Sequence, residues 1–430
     1  MQTIRGFRDI LPENISLWQR VEKEAADLFE SFGYREIRIP VLEKTQLFAR
    51  SIGEATDIVE KEMYTFEDRK GDKLTLRPEA TASICRSYIQ HKLYATDPVR
   101  KFYLTGPMFR RERPQKGRYR QFYQIDAEVF GIESPYIDSE LILLLNTLFQ
   151  RLGLTGLSAH INSLGCPDCR PKFQQALMDF LGENKEALCD NCKRRMEKNP
   201  LRILDCKVET CREALNGAPA TVDHLCPECE DHFTKVRSAL ETQGVEFQVD
   251  KTLVRGLDYY TRTAWEIQTN ALGAQSAVAG GGRYDRLVEE LGGPATPAIG
   301  FAIGFDRLVE VMEQLKIQPE DTGLDLFILP LGEAAIEKSF HWSCDLNRQG
   351  MKTDTDFRKK SMKALMKRAN KLKTSFVLIV GDNELAEQTA VLRNMETKEQ
   401  TPISMETLVP DLIKICNKNN GIKTNNGSRK

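Results

Sequence analysis

Residues 108–130 hold the densest chemistry in the chain. Arg110, Arg111, Arg113, Lys116, Arg118 and Arg120 crowd around the turn formers Pro114 and Gly117. The residues that follow alternate, with Tyr123, Ile125, Ala127 and Val129 on one side and Gln124, Asp126 and Glu128 on the other. That is the pattern of a strand with one apolar face. A basic hairpin thus feeds a strand whose polar face suits the floor of a site for a phosphate-bearing ligand and a cation. Two later segments offer further arginines, Arg255 in LVRGLDYYT (Leu253–Thr261) and Arg307 in Gly304-Phe305-Asp306-Arg307. A guanidinium fork gives a phosphate paired, charge-assisted hydrogen bonds, each contributing about 1.5–3 kcal/mol. The chain has neither a Gly-x-x-x-x-Gly-Lys-Ser/Thr loop nor a Gly-x-Gly-x-x-Gly loop. A nucleotide would therefore rest on arginines rather than on a helix N-terminus.

A second group suits a metal. Cys166-x2-Cys169, Cys189-x2-Cys192 and Cys226-x2-Cys229 have thiolate-knuckle spacing, and Cys206-x4-Cys211 adds a looser pair. Eight thiols would serve two tetrahedral zinc sites. Spacing does not say which pair joins which, and buried thiols in a module that folds without metal is the competing reading. His224 and His232 could replace a thiol. Cys85, Cys344 and Cys416 stand apart and read as core residues.

These groups need a scaffold. A chain of 430 residues, 41% hydrophobic and 29% charged, has room for two or three globular domains. Its net charge of −1 leaves any RNA contact to local basic patches. The N-terminus lacks the apolar core of a signal peptide and no apolar run reaches a membrane span, so a cytosolic chain with reduced or metal-bound thiols is expected. Leu17, Val21, Ala25, Leu28, Phe29 and Phe32 predict a helix behind Asn14 or Ser16 as cap. Strands are predicted at Tyr34–Val41, Leu74–Leu76, Lys101–Gly106, Gln121–Phe130, Phe247–Thr252 and Trp265–Thr269, and helices at Leu141–Leu152 and Arg307–Leu315. Cysteine pairs, short helices and many charges mark Gly165–Phe233 as an inserted module. After a linker at Gln318–Gly323, apolar strands at Leu324–Leu329 and Ser375–Val380 alternate with helices near Ala335–Arg348 and Lys359–Leu372. The stretch Arg358–Lys373 is strongly basic, and Asn417–Lys430 reads as a disordered tail.

The three arginine segments, in this order, resemble the active-site motifs of class II aminoacyl-tRNA synthetases. Phe109-Arg110-Arg111-Glu112 with its loop and strand is similar to the second motif, and Gly304–Arg307 before an apolar helix to the third. The helix and strand closing on Pro40 resemble the first, which builds the dimer interface in that family. LVRGLDYYT and AGGGRYDRL (Ala279–Leu287) resemble the two signatures of the histidyl-tRNA synthetase branch, and Arg77-Pro78-Glu79-Ala80-Thr81 a third segment that contacts the amino acid. The resemblance runs from Gly6 to about Cys416.

It implies an α+β catalytic domain on an antiparallel sheet over residues 1–323, interrupted by the Cys-rich module at 165–233. It further implies a C-terminal α/β anticodon-binding domain at 324–416, with 417–430 as tail. The implied activity is ATP-dependent adenylation of L-histidine with Mg²⁺, then transfer to tRNA(His), by a cytoplasmic homodimer with no membrane association. By the same resemblance Glu79, Ala80, Thr81, Gln124 and Glu128 contact histidine, and Tyr259 and Tyr260 close over the imidazole. Arg110 and Arg255 would hold the α-phosphate and the carboxylate and are the expected catalytic groups. Arg118 and Arg307 would hold the outer phosphates, and Glu112 would meet the adenine amino group or a metal. The residue types agree: the ammonium and imidazole N–H groups need acceptors, and Gln124 and Glu128, about 13 Å apart along the strand, reach different parts of the ligand. Such a pocket rejects analogues lacking a polar group by roughly 10⁴-fold, which makes a separate editing domain unnecessary. The competing function is a non-catalytic regulator resembling the regulatory subunit of ATP phosphoribosyltransferase. That branch lacks the C-terminal domain and departs from the arginine motifs, whereas Arg110, Arg255 and Arg307 are all present here.

Overall fold

Alternation along residues 121–130 has the consequence expected of a period of two: Ile125, Ala127 and Val129 enter the core from one strand face. The computed structural model describes residues 1–53, 56, 58–115, 117–198, 200–269, 277–317 and 323–419. Lys116, most of the expected linker and residues 420–430 of the expected tail lie outside them. The chain divides into two compact units, Met1–Pro319 and Glu320–Lys430.

The first unit carries β1 (Arg35–Glu36), β2 (Leu42–Lys44), β3 (Tyr64–Glu67), β4 (Lys73–Leu76), β5 (Arg100–Phe109), β6 (Gln121–Phe130), β7 (Leu157–Ser163), β8 (Phe247–Val249), β9 (Thr261–Thr269), β10 (Ala277–Arg283) and β11 (Ala298–Gly304). Eight of these form one sheet in the order β1-β5-β6-β11-β10-β9-β7-β8, and β2-β4-β3 form a small second sheet. The inner pairs of the large sheet are antiparallel, and the outermost pairs, β1–β5 and β7–β8, are parallel. The antiparallel α+β expectation is met. Helices Pro12–Ser31, Pro135–Arg151 and Phe305–Gln314 cover the apolar face, burying Val21, Phe29, Leu141, Leu145 and Leu308 against Ile125, Phe301 and Ile303. The other face is left for the site.

Several boundaries differ from the sequence reading. The first helix begins at Pro12 behind Leu11, not behind Asn14 or Ser16, because proline at the first helical position loses no needed N–H. The expected strand Tyr34–Val41 shrinks to β1, with one more bond from Ile37 N to Tyr103 O at 2.8 Å, and Pro40 offers no donor beyond it. Phe247–Thr252 stops at Val249, where Asp250 Oδ1 accepts from Thr252 N at 2.9 Å and turns the chain. The helix predicted at Leu141–Leu152 starts earlier, at Pro135 behind the cap Ser134.

The second unit holds β12 (Leu326–Pro330), β13 (Thr353–Thr355), β14 (Phe376–Val380), β15 (Thr389–Asn394) and β16 (Gln400–Ser404) in the order β13-β12-β14-β15-β16. β12 and β14 pair in parallel and are buried at every position, as uninterrupted apolar runs covered on both faces must be. The basic stretch is only partly helical: the helix spans Met362–Lys371. Asp356 accepts the Arg358 backbone N–H at 3.0 Å and its guanidinium at 2.7 and 2.8 Å, which turns the chain before the helix. The last helix runs Leu408–Asn419, so residues 417–419 are helical rather than tail.

Candidate active site

Cross-strand neighbours share a face, so register decides what stands beside the polar face of β6. Gln124 pairs with Gly106 and Gly304, Asp126 with Leu104 and Ala302, and Glu128 with Phe102 and Gly300. One strand further, Ala302 pairs with Gly280 and Gly300 with Gly282. The acidic row is therefore flanked by a stretch of sheet almost bare of side chains. At two glycines a side chain would displace the site's own charged groups. A Cβ on Gly280 would lie 2.5 Å from Arg255 Nη1, and one on Gly300 would overlap the Glu128 carboxylate. The bare sheet floors a cavity of about 260 Å³.

Of the expected site residues, Glu79, Thr81, Arg110, Glu112, Arg118, Gln124, Arg255, Tyr259, Tyr260 and Arg307 line this cavity. Ala80 and Glu128 lie one layer behind its wall. Arg255 reaches over Gly280 to Glu266 Oε1 at 2.5 Å, and its guanidinium carbon sits 5.6 Å from the Tyr260 ring centre. Burial opposes its charge, but Tyr260 and Glu266 outweigh that and hold it above the ordinary arginine value. Arg110 donates its Nε–H to Pro78 O at 2.9 Å and lies over Phe122. Arg118 pairs with Glu112 at 3.1 Å, and Arg307 donates to Ala277 O at 2.6 Å. Burial and the neighbouring Arg118 charge both lower the Arg307 pKa, so an anion placed there would relieve a repulsion.

The site also holds buried acidic groups. Glu79 caps the helix Thr81–Gln90, accepting from Thr81 N at 2.7 Å and Ala82 N at 3.0 Å, and burial raises its pKa. Glu128 accepts from Thr81 Oγ1 at 2.6 Å and from the Tyr284 hydroxyl. Burial pushes it up to about 8 against the opposing pull of those hydrogen bonds. Asp126, 1% exposed, is raised well above the carboxylate range, first by burial and then by Glu128 and Glu79. Among the described residues, Gln124 Oε1, Asp126 Oδ2 and Arg255 Nε have no hydrogen-bond partner. All three belong to residues that line the cavity, so a polar ligand there could partner them.

The cysteines gather as two tetrads, Cys166, Cys169, Cys226 and Cys229 in one and Cys189, Cys192, Cys206 and Cys211 in the other, each within 4.8 Å. The two outer knuckles pair with each other, and the inner knuckle takes the looser pair. Sulfur separations of 3.6 Å (Cys166–Cys169), 3.9 Å (Cys166–Cys226) and 4.0 Å (Cys189–Cys206) match the edge of about 3.8 Å that a tetrahedron with Zn–S of about 2.3 Å requires. Backbone N–H groups of Cys226 and Cys189 donate to Cys169 Sγ and Cys211 Sγ at 3.1 Å, the polarity that stabilises thiolates. Neither histidine joins a tetrad: His232 bonds Asp138 at 2.8 Å, and His224 lies against Phe173.

The histidyl-tRNA synthetase family profile matches residues 6–308, and an anticodon-binding-domain profile matches residues 325–415. A histidine–tRNA ligase of Desulforapulum autotrophicum is 65% identical over 96% of this chain and 98% of its own length. The chain belongs to the histidyl-tRNA synthetase family. Apo histidyl-tRNA synthetase of Staphylococcus aureus superposes with a TM-score of 0.82 at 35% identity, covering 96% of this chain and 99% of that one. A Bacillus halodurans protein described as an ATP phosphoribosyltransferase regulatory subunit/histidyl-tRNA synthetase shares only the fold, with a TM-score of 0.63 at 20% identity over 88% of this chain and 98% of that one. Membership in the synthetase family carries ATP and Mg²⁺ with it, and places the chain among enzymes rather than regulators. No helix among the described residues is long and apolar enough to cross a membrane.

Among the wall residues of this synthetase that were given no ligand role from sequence are Asp126, Glu266 and Tyr284. Asp126 sat between Gln124 and Glu128 in the same alternating face. Glu266 shares its face with Ala264 and pairs with Gly280 across β9 and β10, and Tyr284 lies inside AGGGRYDRL. Strand parity alone would have nominated the first two. Arg283, by contrast, is structural. It is fully buried and pairs with Asp138 at 2.7 Å.

Proposed function

We propose that this chain is a histidine–tRNA ligase that adenylates L-histidine at the bare-floored cavity and passes it to tRNA(His). The observation that carries the reading is one cavity lined by the guanidiniums of Arg110, Arg255, Arg118 and Arg307 together with Glu79 and Gln124, with Glu128 hydrogen-bonded to the lining residue Thr81. The histidine carboxylate attacks the α-phosphorus, forming one O–P bond while the bond to pyrophosphate breaks. Negative charge grows on the phosphoryl oxygens, and Arg110 and Arg255 stand where it develops. Arg118 and Arg307 hold the leaving pyrophosphate, Glu112 meets the adenine amino group or the metal, and Mg²⁺ supplies further neutralisation. Glu79, Thr81 and Gln124 receive the ammonium group, with Ala80 backing them. Tyr259 and Tyr260 meet the imidazole, and Glu128 acts on histidine from behind them through Thr81 and Tyr284. No side-chain nucleophile takes part, so positioning and electrostatics supply the rate.

Residues 1–323 form the catalytic domain in this reading, with 165–233 as an inserted module and 324–416 as the anticodon reader. The exposed Lys360, Lys363, Lys367 and Lys371 supply phosphate contacts in that domain. The Pro40 segment supports a homodimer, and the enzyme acts in the cytoplasm. A chain ending at Gly323 is expected to exchange ATP with pyrophosphate in the presence of histidine alone among the amino acids, yet to charge tRNA poorly. Charging equal to that of the full chain would exclude 324–416 from anticodon reading, and exchange with another amino acid would overturn the substrate.

The two tetrads hold structural zinc. Metal analysis of the full chain is expected to give two zinc ions per chain. Chelation should open residues 165–233 to proteases, because structural zinc contributes folding energy directly. Metal-free protein with that segment still protected would leave the tetrads as buried thiols.

A further inference from the structure

The segment Leu253–Tyr260 carries Arg255, Tyr259 and Tyr260 into the cavity without helix or strand of its own. A loop of that length needs its backbone groups tied elsewhere. Two of its carbonyls are tied to arginines of the cysteine module. Arg170, the residue after Cys169, donates Nη2–H to Tyr260 O. Arg202, four residues before Cys206, donates Nη2–H to Gly256 O and lies 3.4 Å from Asp258 Oδ1 through Nε. Each tetrad therefore has one arginine beside it reaching the same loop, one at each end of the run Gly256–Tyr260. The strand that leaves the loop is pinned as well: Arg262 N donates to Gly165 O at 2.9 Å, and Leu164 N donates to Arg262 O at 2.7 Å.

The tetrads fix where these arginines stand. Cys166 and Cys169 open the helix Arg170–Glu183, and Cys206 follows the short turn Pro200–Ile203 that contains Arg202. We propose that Arg170 and Arg202 are positioning residues through which the cysteine module holds the loop in its histidine-binding shape, an inference that rests on the histidine-activating reading above. Neither arginine lines the cavity. Their action on histidine passes through the backbone of Gly256 and Tyr260, and from there to Arg255, Tyr259 and Tyr260. ATP rests mainly on groups the loop does not carry, Arg110, Arg118 and Arg307, so the effect should divide the two substrates.

The full chain and its Arg170→Ala, Arg202→Ala and Arg170→Lys variants are titrated with L-histidine and, separately, with ATP by calorimetry. Bound metal and the melting curve are measured on each, with the exposed Arg212→Ala as control. Each alanine variant is expected to bind histidine about tenfold more weakly or worse, with ATP affinity within about twofold, as a defect confined to one of two sites requires. Metal content and melting should match the parent. Arg170→Lys should recover part of the loss, because an ammonium can still donate to one carbonyl. Unchanged histidine affinity in both alanine variants, or an equal loss for ATP and histidine, overturns the proposal. If the alanine variants lose metal or melt early, Arg170→Lys decides: a selective histidine defect with parental metal and melting supports positioning, and parental affinity overturns it. A parent that binds ATP but not histidine defeats the functional reading itself. A selective defect in protein that carries no metal supports the arginines and defeats only the zinc.

Discussion

Replacing Arg255 by alanine is expected to slow histidine-dependent ATP–pyrophosphate exchange by at least about 10²-fold, the usual loss when a donor aimed at developing charge is removed. Arg255 is partly buried, Glu266 and Tyr260 favour its charged form despite that burial, and its Nε has no partner among the described residues. Its guanidinium occupies the space above Gly280 that any larger residue would fill. A cation so placed needs no reorganisation when charge appears on the phosphoryl group. Arg255→Lys should recover only part of the rate, since an ammonium lacks the planar fork. Alanine also strands the Glu266 carboxylate, so the variant is paired with Arg255→Ala/Glu266→Gln. If the double variant returns to near-parental exchange, the loss came from an unpaired acid and Arg255 has no part in the reaction.

Asp138→Ala should cost about 3–5 kcal/mol of stability, the range for breaking a buried ion pair from one side. Asp138 and Arg283 are both 0% exposed; Arg283 Nη2 lies 2.7 Å from Asp138 Oδ1, and His232 Nε2 lies 2.8 Å from Oδ2. The arginine also donates to Ile132 O at 3.1 Å, Ser134 O at 2.8 Å and Asp285 Oδ1 at 3.2 Å, but Asp285 is partly exposed and already accepts from Ala298 N, so it offsets only part of the buried charge. Asp138 belongs to the helix Pro135–Arg151, Arg283 ends β10, and His232 lies in the helix Pro227–Thr242 that leaves the cysteine module. One carboxylate thus joins three elements distant in sequence. Denaturant unfolding of the variant followed by tryptophan fluorescence reads the loss. Replacing Asp138, His232 and Arg283 together by apolar residues should cost less than Asp138→Ala alone, because no charge is stranded. A loss under about 1 kcal/mol for Asp138→Ala would mean that the pair does not bear on stability.

Local pattern carries much of this molecule. The alternation of residues 121–130 announced both the strand and its polar face, because side-chain direction in a strand has a period of two whatever lies around it. The uninterrupted runs of β12 and β14 announced strands covered on both sides. Knuckle spacing named six of the eight cysteines of the tetrads, since two residues between thiols is a constraint internal to one turn, and the looser Cys206-x4-Cys211 pair completed the set. What local pattern does not contain is the partner across space. The joining of Cys166–Cys169 to Cys226–Cys229, about sixty residues apart, depends on where the module leaves and rejoins the sheet. His232 is as close to a knuckle as a ligand could be, yet Asp138 takes it.

The same division holds at the cavity. The residue types of Arg110, Arg255, Glu79 and Gln124 were legible because their chemistry is written in their side chains. The space between them was not. It exists because register sets Gly106, Gly280, Gly282, Gly300, Ala302 and Gly304 beside the acidic row, and register is a property of four strands packed together. Glu128 shows the limit most plainly. Its type and parity placed it on the ligand face, but only tertiary packing set it among Thr81 and Tyr284 and buried it, and that burial raises its pKa to about 8 although both hydrogen bonds pull the other way. Sequence by itself determined which groups this protein has to work with and the strand faces on which they stand. Tertiary structure alone decided which of them meet, which are spent on holding the fold, and how buried each charge is, because those depend on distances between segments that no local pattern encodes.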